Sequence, residues 1–419
     1  MLTPQRLWGI AAGCLLAWGQ QGIASDARSA GVVDAVFTSH ETNWVQPLKL
    51  VNGAEEASGS NIQQVSFMGS DSCFSSELGD KWTGASLLPE GACWDFGGWF
   101  QTGYHTRSDG IFNTYPNHVQ LQQGYLYMQK VADGSEGFDW GARADIVYGT
   151  DAQNTQAFGN HPGRWDFQNG WDHGEYGWAM PQLYGEVAYG DLSIKAGHFY
   201  TLLGYQVVPA TGNFFYSIPW TFNFSEAFTH TGGLASYKAS DNVTLHAGWV
   251  AGWDTGFDQF NQGNAFHGGA IVKLLDNLTA TYMMTGGNLG WIGEGYSHAI
   301  VVDYVINDDW EYVFQSDMVH TNIDPFGVTD GYNTIGVNQY LFYTLTDRTR
   351  AGVRGEWWKF NGISVYDFTA GFNFKPHANF VIRPEWRYRW SPTLNDVQAL
   401  NSTFNFEKGI FAVDAILTF

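Results

Sequence analysis

Segments of about ten residues, apolar at every second position, recur from Trp94 to Phe419, and this pattern restricts the fold more than any other feature. A period of two means an extended strand with one apolar face. The terminal run EKGIFAVDAILTF sets Phe411, Val413, Ala415, Leu417 and Phe419 on one face, against Ala412, Asp414, Ile416 and Thr418. DWGARADIVYG sets Trp140, Ala142, Ala144, Ile146 and Tyr148 against Asp139, Arg143 and Asp145. In NVTLHAGWVAGW, DWEYVFQSDM and VYDFTAGFNF the apolar rows again stand opposite polar or small residues such as His246, Glu311, Asp317 and Asp367. Aromatic residues often open or close the apolar rows, as the interfacial girdle of a membrane barrel requires.

Composition decides what the apolar faces meet. Aromatics make up 17% and charged residues only 15%, whereas soluble chains carry about a quarter charged residues. The mean hydropathy is nonetheless slightly negative, and beyond the first 25 residues no apolar run is long enough for a membrane helix. Two-faced strands against lipid produce both features. Two soluble sandwiches would need a linker, and no Pro-rich boundary follows residue 94.

The connections give an independent signal. Short polar turns fall near Asp133-Gly134, Gly190-Asp191, Asp241-Asn242, Asp276-Asn277, Asp308-Asp309, Thr346-Asp347 and Pro376-His377. Between them lie longer connectors at 105–120, 150–179, 200–231, 254–263, 286–295, 320–331, 359–362 and 391–408. The alternation predicts an all-β chain: a transmembrane antiparallel up-and-down β-barrel of sixteen strands in the bacterial outer membrane. Tight turns then face the periplasm, longer loops face outward, and both chain ends are periplasmic. Poor alternation near 121–131 and 232–240 leaves fourteen strands as the alternative. On this reading Phe419 closes the last strand against lipid.

Residues 1–24 read as a signal peptide, with Arg6 before the apolar LWGIAAGCLLAW and a cut after Ala24; a lipoprotein signal at Cys14 fits less well. In an exported chain the remaining pair, Cys73 and Cys93, reads as a disulfide, with two free thiols as the alternative. Residues 25–92 form an N-terminal periplasmic segment, and a lead-in, a lumen plug and disorder all remain open for it. The barrel itself occupies 93–419.

LSIKAGHFYTLLGYQVVPATGNFFYS, followed by HTGGLASYKASDNVTLHAGWVAGWD, resembles the β-barrel porin-2 (OmpL-like) family. The likeness rests on the Lys-x-Gly-x-Phe strand, the aromatic loop with its Asn, the Thr-Gly pair and the Gly-Trp-Asp strand end, and it covers about residues 93–419. The SHETNWV start and the cysteine segment resemble forms seen in planctomycete-type outer membranes. The resemblance implies a porin-like barrel and says little about its solute. The aromatic C-terminus is similar to the signal read by the barrel assembly machinery, which makes that machinery a partner through Phe419, beside the outer-membrane lipids.

Charged residues on the strands are the candidate site. In NFVIRPEWRYRW, Arg383, Glu385, Arg387 and Arg389 share one face, and Ile382, Trp386, Tyr388 and Trp390 share the other. An arginine on the lipid face at mid-bilayer costs about 2–4 kcal/mol, so the charged row must face the lumen. Two strands earlier, RTRAGVRGEWW turns Arg350, Arg354 and Glu356 inward, with Asp367 on the strand between. These residues predict a basic wall lining a pore constriction; the alternative is a network bracing a filled barrel. Asp145, Glu186, Asp303, Glu311 and Asp317 have inward parity and are expected to form an opposing acidic wall, giving a transverse field.

Loop 200–231 carries Phe214, Phe215, Tyr216, Trp220, Phe222 and Phe224, too apolar to sit in water. It is expected to fold inward and narrow the barrel, with a contact between subunits as the alternative. Asp166, Asp172 and Glu175 beside His161 and His173 lack the spacing of a cation loop and read as a solvated segment. His198 has lipid-facing parity without an evident reason.

No nucleophile–histidine motif stands out and no phosphate-cradling glycine loop is present, so neither catalysis nor a cofactor is expected. A net charge of −21 opposes nucleic-acid binding. Passive diffusion of small hydrophilic solutes is the leading expectation. A filled structural or adhesive barrel and a glycan-binding surface protein are the alternatives. Small residues on the lipid face (Ala142, Ala144, Ala247, Ala251) suggest association as a homotrimer.

Overall fold

Alternation in the sequence becomes alternation in exposure. The computed structural model describes residues 78–89, 92–258, 262–327, 330–392, 406 and 409–419. The cleavage site after Ala24, SHETNWV, Cys73 and most of 25–92 lie outside the described residues; Cys93 is exposed. The first half of the barrel comprises β1 (Asp95–His105), β2 (Gln120–Lys130), β3 (Asp139–Gly149), β4 (Gly177–Tyr189), β5 (Leu192–Tyr200), β6 (Thr229–Ser240), β7 (Val243–Val250) and β8 (Asn264–Leu275). The second comprises β9 (Leu278–Asn288), β10 (Glu294–Val305), β11 (Trp310–Thr321), β12 (Tyr332–Thr346), β13 (Thr349–Phe360), β14 (Ile363–His377), β15 (Phe380–Trp390) and β16 (Gly409–Thr418).

Each strand pairs antiparallel with the next, and β1 pairs with β16 from Trp99↔Thr418 to His105↔Ala412, so the sheet closes as a sixteen-strand barrel. Closure removes the unpaired edges that lipid could not satisfy. The weakly alternating 121–131 and 232–240 contribute to β2 and β6, so the count is sixteen and not fourteen. On β15, Trp386 is 48% exposed and Arg387 1%. A one-residue slip would exchange the two faces, so burial of the charges pins the register.

The expected turns recur, with three differences, the first being that Asp133-Gly134 lies in an eight-residue connection, 131–138. The β14–β15 turn lies at Ala378-Asn379, because β14 continues through Pro376 to His377. The connector expected at 359–362 is only Asn361-Gly362, as tight as the turns at the opposite rim. Both residues have positive φ (44° and 97°), the Asn-Gly signature of a two-residue hairpin.

Phe419 is less simply lipid-facing than expected. Its backbone pairs with Gly98 (2.9 and 3.0 Å), and its ring stacks on Trp82 at 6.2 Å. A Cβ on residue 98 would lie 2.8 Å from the Phe419 ring and 2.1 Å from the Tyr125 carbonyl, so glycine is required there. Trp82 is held by Asn379, which accepts its N–H at 3.0 Å and donates to its carbonyl at 2.7 Å. Residues 78–89 thus dock at the rim that carries the tight turns.

His198 also finds its reason. Residues 150–176 and 251–258 fold over the outer wall, and Trp165 and Phe257 cover the imidazole at 6.0 and 6.3 Å. Its Nδ1 meets the Thr231 hydroxyl at 2.8 Å. A lipid-parity histidine is tolerated because the protein's own loops bury it.

Candidate functional site

The third outward connection, residues 201–228, turns into the barrel. Its α-helix, Trp220–Ser225, is buried at every position. Phe214, Phe215, Tyr216 and Trp220 are at most 8% exposed. A loop at membrane depth must have its backbone groups satisfied by protein. Here the charged side chains of the wall do so.

Arg383 forks onto Asp414 (2.9 and 2.5 Å) and extends Nη1 to the carbonyls of Ala210 (3.0 Å) and Asn213 (2.5 Å). Arg354 donates to the Ser217 carbonyl (2.9 Å) and hydroxyl (3.1 Å) and to Thr369 Oγ1 (3.0 Å). Arg387 reaches the Ile218 carbonyl at 3.3 Å. Two glutamates take the N–H side: Glu385 accepts from Ser217 N at 3.1 Å, and Glu356 accepts from Trp220 N (3.0 Å) and Thr221 N (2.7 Å). Arginines thus hold loop carbonyls and glutamates hold loop amides. Each ionic partner strengthens a hydrogen bond in a water-poor interior.

The basic wall is neutralised where it stands. Asp367 on β14 lies 3.0 Å from Arg389, 3.8 Å from Arg387 and 3.9 Å from Arg354. From the first outward loop, Asp109 reaches in to pair with Arg387 and, at 2.8 Å, with Arg389. Burial pushes the Asp109 carboxyl up, but the Arg387 and Arg389 guanidiniums outweigh it and hold it below the usual carboxylate range. Arg350 stands apart and pairs with Glu311 at 2.6 Å.

The expected acidic wall is therefore not assembled as a unit opposite the arginines. Glu311 bonds to the basic side itself, and Asp145 pairs with Arg143 at 2.7 Å on its own strand. Glu186 on β4 is buried. Asp317 on β11 sits beside Gln315 and the inner loop. An acid two residues from an arginine, or two strands away, is a nearer partner than one across the lumen.

Aromatic packing completes the seat of the loop. Phe214 and Phe215 pack among Val301, Val313, Tyr340 and Phe342, with Arg350 and Arg354 over their rings at 5.9 and 5.3 Å. Trp220 meets Trp358 at 5.4 Å and Phe224 at 5.3 Å, beneath Phe406 and the loop residues Trp253, Leu289 and Ile292. At the loops, Asp166 accepts from Ala157 N and Met180 N (both 2.9 Å), Asp172 accepts from Gln156, and Glu175 meets His118 at 2.9 Å. These acids organise the loop itself, and among the described residues no cluster suits a metal ion.

A sixteen-strand barrel with an inward third loop invites comparison with known channels. The family described as "Putative beta-barrel porin-2, OmpL-like" matches residues 94–419. The chain belongs to this family. It is accordingly a bacterial outer-membrane barrel of the porin type. No curated protein matches the chain. Among solved structures it is similar to OmpF of Salmonella typhi in complex with daunomycin, with a TM-score of 0.56 and 14% identity over 78% of this chain and 97% of that one. The outer-membrane channel DcaP of Acinetobacter baumannii gives 0.54 and 10% over 78% and 97%. An anion-selective porin from Comamonas acidovorans gives 0.53 and 10% over 78% and 99%. Such identities show a shared fold alone.

Sequence reading of this porin-family barrel missed Asp109, Asp414 and Gln123, which hold the arginines or the loop. Gln123 accepts from Ala210 N at 3.0 Å and donates to the Val208 carbonyl at 2.8 Å. For Asp414 a signal existed: an acid on the inward face of β16, next to a strand carrying arginines. Asp109 lies in a loop without periodicity, and nothing local marks it.

Proposed function

We propose that the chain is an outer-membrane porin that passes small hydrophilic solutes by diffusion, and that loop 201–228, seated on Arg354, Arg383 and Arg387, sets the narrowest part of the path. The observation that carries this reading is the ladder of ionic hydrogen bonds holding an inward loop inside a closed sixteen-strand barrel. The inner face carries polar residues such as Gln101, Gln122, Thr281 and Ser297, all buried. Arg350, Glu356, Asp367, Glu385 and Arg389 are proposed to line and brace this region. Reconstituted in planar bilayers, the folded protein is expected to give discrete conductance steps; a folded barrel without steps would refute the reading.

One observation favours a second reading, a filled structural barrel. Arg354, Arg383, Arg387 and Arg389 are each no more than 2% exposed, and the aromatic cluster around Trp220 and Trp358 occupies the loop end of the lumen. The same bilayer measurement separates the two.

We also propose association through the lipid face of β3–β7. Ala142 pairs with Gly185, Gly185 with Ala196, and Ala196 with Gly233, a row of small residues across four adjacent strands. Ala235 and Ala247 pair beside it. Small residues allow close backbone approach where lipid supplies no hydrophobic drive. Ala251 lies beyond β7 and adds nothing to the row. Native mass in mild detergent is expected to give a trimer, and Gly185→Leu with Ala196→Leu a monomer; a wild-type monomer would remove the proposal.

A further inference from the structure

Both limbs of the inner loop meet one side chain on β11. Gln315 accepts from Tyr205 N at 3.3 Å where the loop enters, and its amide donates to Glu226 Oε1 at 2.7 Å where the loop leaves. The same amide nitrogen donates to Asp317 Oδ2 at 2.7 Å. Two carboxyl groups, one on the loop and one on the wall, thus share a single nitrogen. Glu226 is 4% exposed and Asp317 1%, and each keeps one buried oxygen (Oε2 and Oδ1) without a hydrogen-bond donor. The space is tight: a Cβ on Gly204, whose φ is +80°, would lie 2.1 Å from Glu226 Oε2.

Among the described residues, the surrounding groups do not supply a cation. From β13, Glu356 adds a further negative charge felt by both acids, and it is already bonded to Trp220 and Thr221. Arg354 is committed to Ser217, Thr369 and Asp367. From β12, the Tyr340 hydroxyl accepts from Gln206 Nε2 at 3.4 Å. Adjacent carboxylates in a water-poor site without a cation do not both ionise. Burial first, and then the charge of Asp317, push the Glu226 carboxyl well above the usual range.

We propose that Glu226 and Asp317 hold one proton between them, and that this proton latches the inner loop to the wall. The proton belongs to the pair and is lost as one titration. The sign follows from an acid whose folded value is raised: the latch is complete at acid pH and weakens as pH rises through the folded titration. Deprotonation leaves two like charges on either side of Gln315, frees both limbs of the loop and widens the lumen. The effect on permeation rests on the porin reading; the shared proton does not.

Infrared difference spectra of the folded full-length protein test the proton directly. Wild type is expected to show a protonated-carboxyl C=O band at neutral pH that vanishes on alkalinisation, and Glu226→Gln or Asp317→Asn to lack that component. Identical spectra in wild type and both variants would overturn the proposal. Bilayer conductance is expected to rise with pH in wild type and to stay at its low-pH value in either variant, whose neutral side chain mimics the protonated acid. The same pH profile in all three proteins would overturn the latch. If folded wild type never conducts, the porin reading fails, and hydrogen exchange in residues 201–228 decides instead: it should quicken with pH in wild type only.

Discussion

Replacing Arg383 and Arg387 together by glutamine is expected to leave a folded barrel whose inner loop has lost its seat. Arg383 neutralises Asp414 and holds the carbonyls of Ala210 and Asn213; Arg387 neutralises Asp109 and holds that of Ile218. Removal of Arg383 strands the buried Asp414, and breaking such a pair costs about 3–5 kcal/mol, whereas Asp109 keeps Arg389 when Arg387 is removed. The strand network does not depend on either guanidinium, because β15 pairs with β14 and β16 through its backbone. Single-channel conductance should therefore rise and become noisier. The reversal potential should shift toward cations, as two positive charges go, Asp414 loses its arginine and Asp109 keeps only Arg389. Retention of a heat-modifiable band on gels checks that the barrel is folded. Unchanged conductance and selectivity in such a barrel would mean that the path lies elsewhere.

Trp220→Ala should destabilise the loop nearly as much by a different route. Trp220 is 2% exposed, packed on Trp358 and Phe224, and lies under the Arg389 guanidinium at 5.1 Å. Truncation leaves a cavity among aromatic rings, and losses of this type run to about 3–5 kcal/mol. Helix Trp220–Ser225 should loosen, and limited proteolysis should cut within 201–228 in the variant while sparing wild type. Trp386→Ala is the control. That ring is larger than any cavity it would leave, since it is 48% exposed on the outer face. A Trp220→Ala protein as protease-resistant as the control would show that polar contacts, those of Glu356 with Trp220 and Thr221 and of Trp358 with Ser225 among them, hold the helix without the ring.

The sequence could disclose the strands because their signal is local. Parity along β15 separates Arg383, Glu385, Arg387 and Arg389 from Trp386, Tyr388 and Trp390 within a dozen residues, and lipid enforces it at every step. Weak parity in β2 has a visible cause. Gln122 and Gln123 are both buried, around a register shift opposite Gln101 and Thr102 of β1, so the simple alternation is broken there. The inward fate of 201–228 was legible for a similar reason: six large aromatics between positions 214 and 224 have no stable place in water.

Partners distant in sequence were not legible. The Arg387–Asp109 contact joins positions 278 apart, and the Arg389–Asp109 contact positions 280 apart. No periodicity encodes such a pair; it forms only once the barrel has closed and the first loop has turned inward. The expected acidic wall failed on the same point. Parity fixes that Glu311 and Asp145 look inward, but which guanidinium each one meets depends on strand order and side-chain reach. By itself the sequence determined which side of the wall each residue takes, because the alternative is a charge in lipid. Tertiary structure alone decided that the inward arginines meet carboxylates and loop carbonyls, because inside a closed barrel a charge left without a partner is the costlier arrangement.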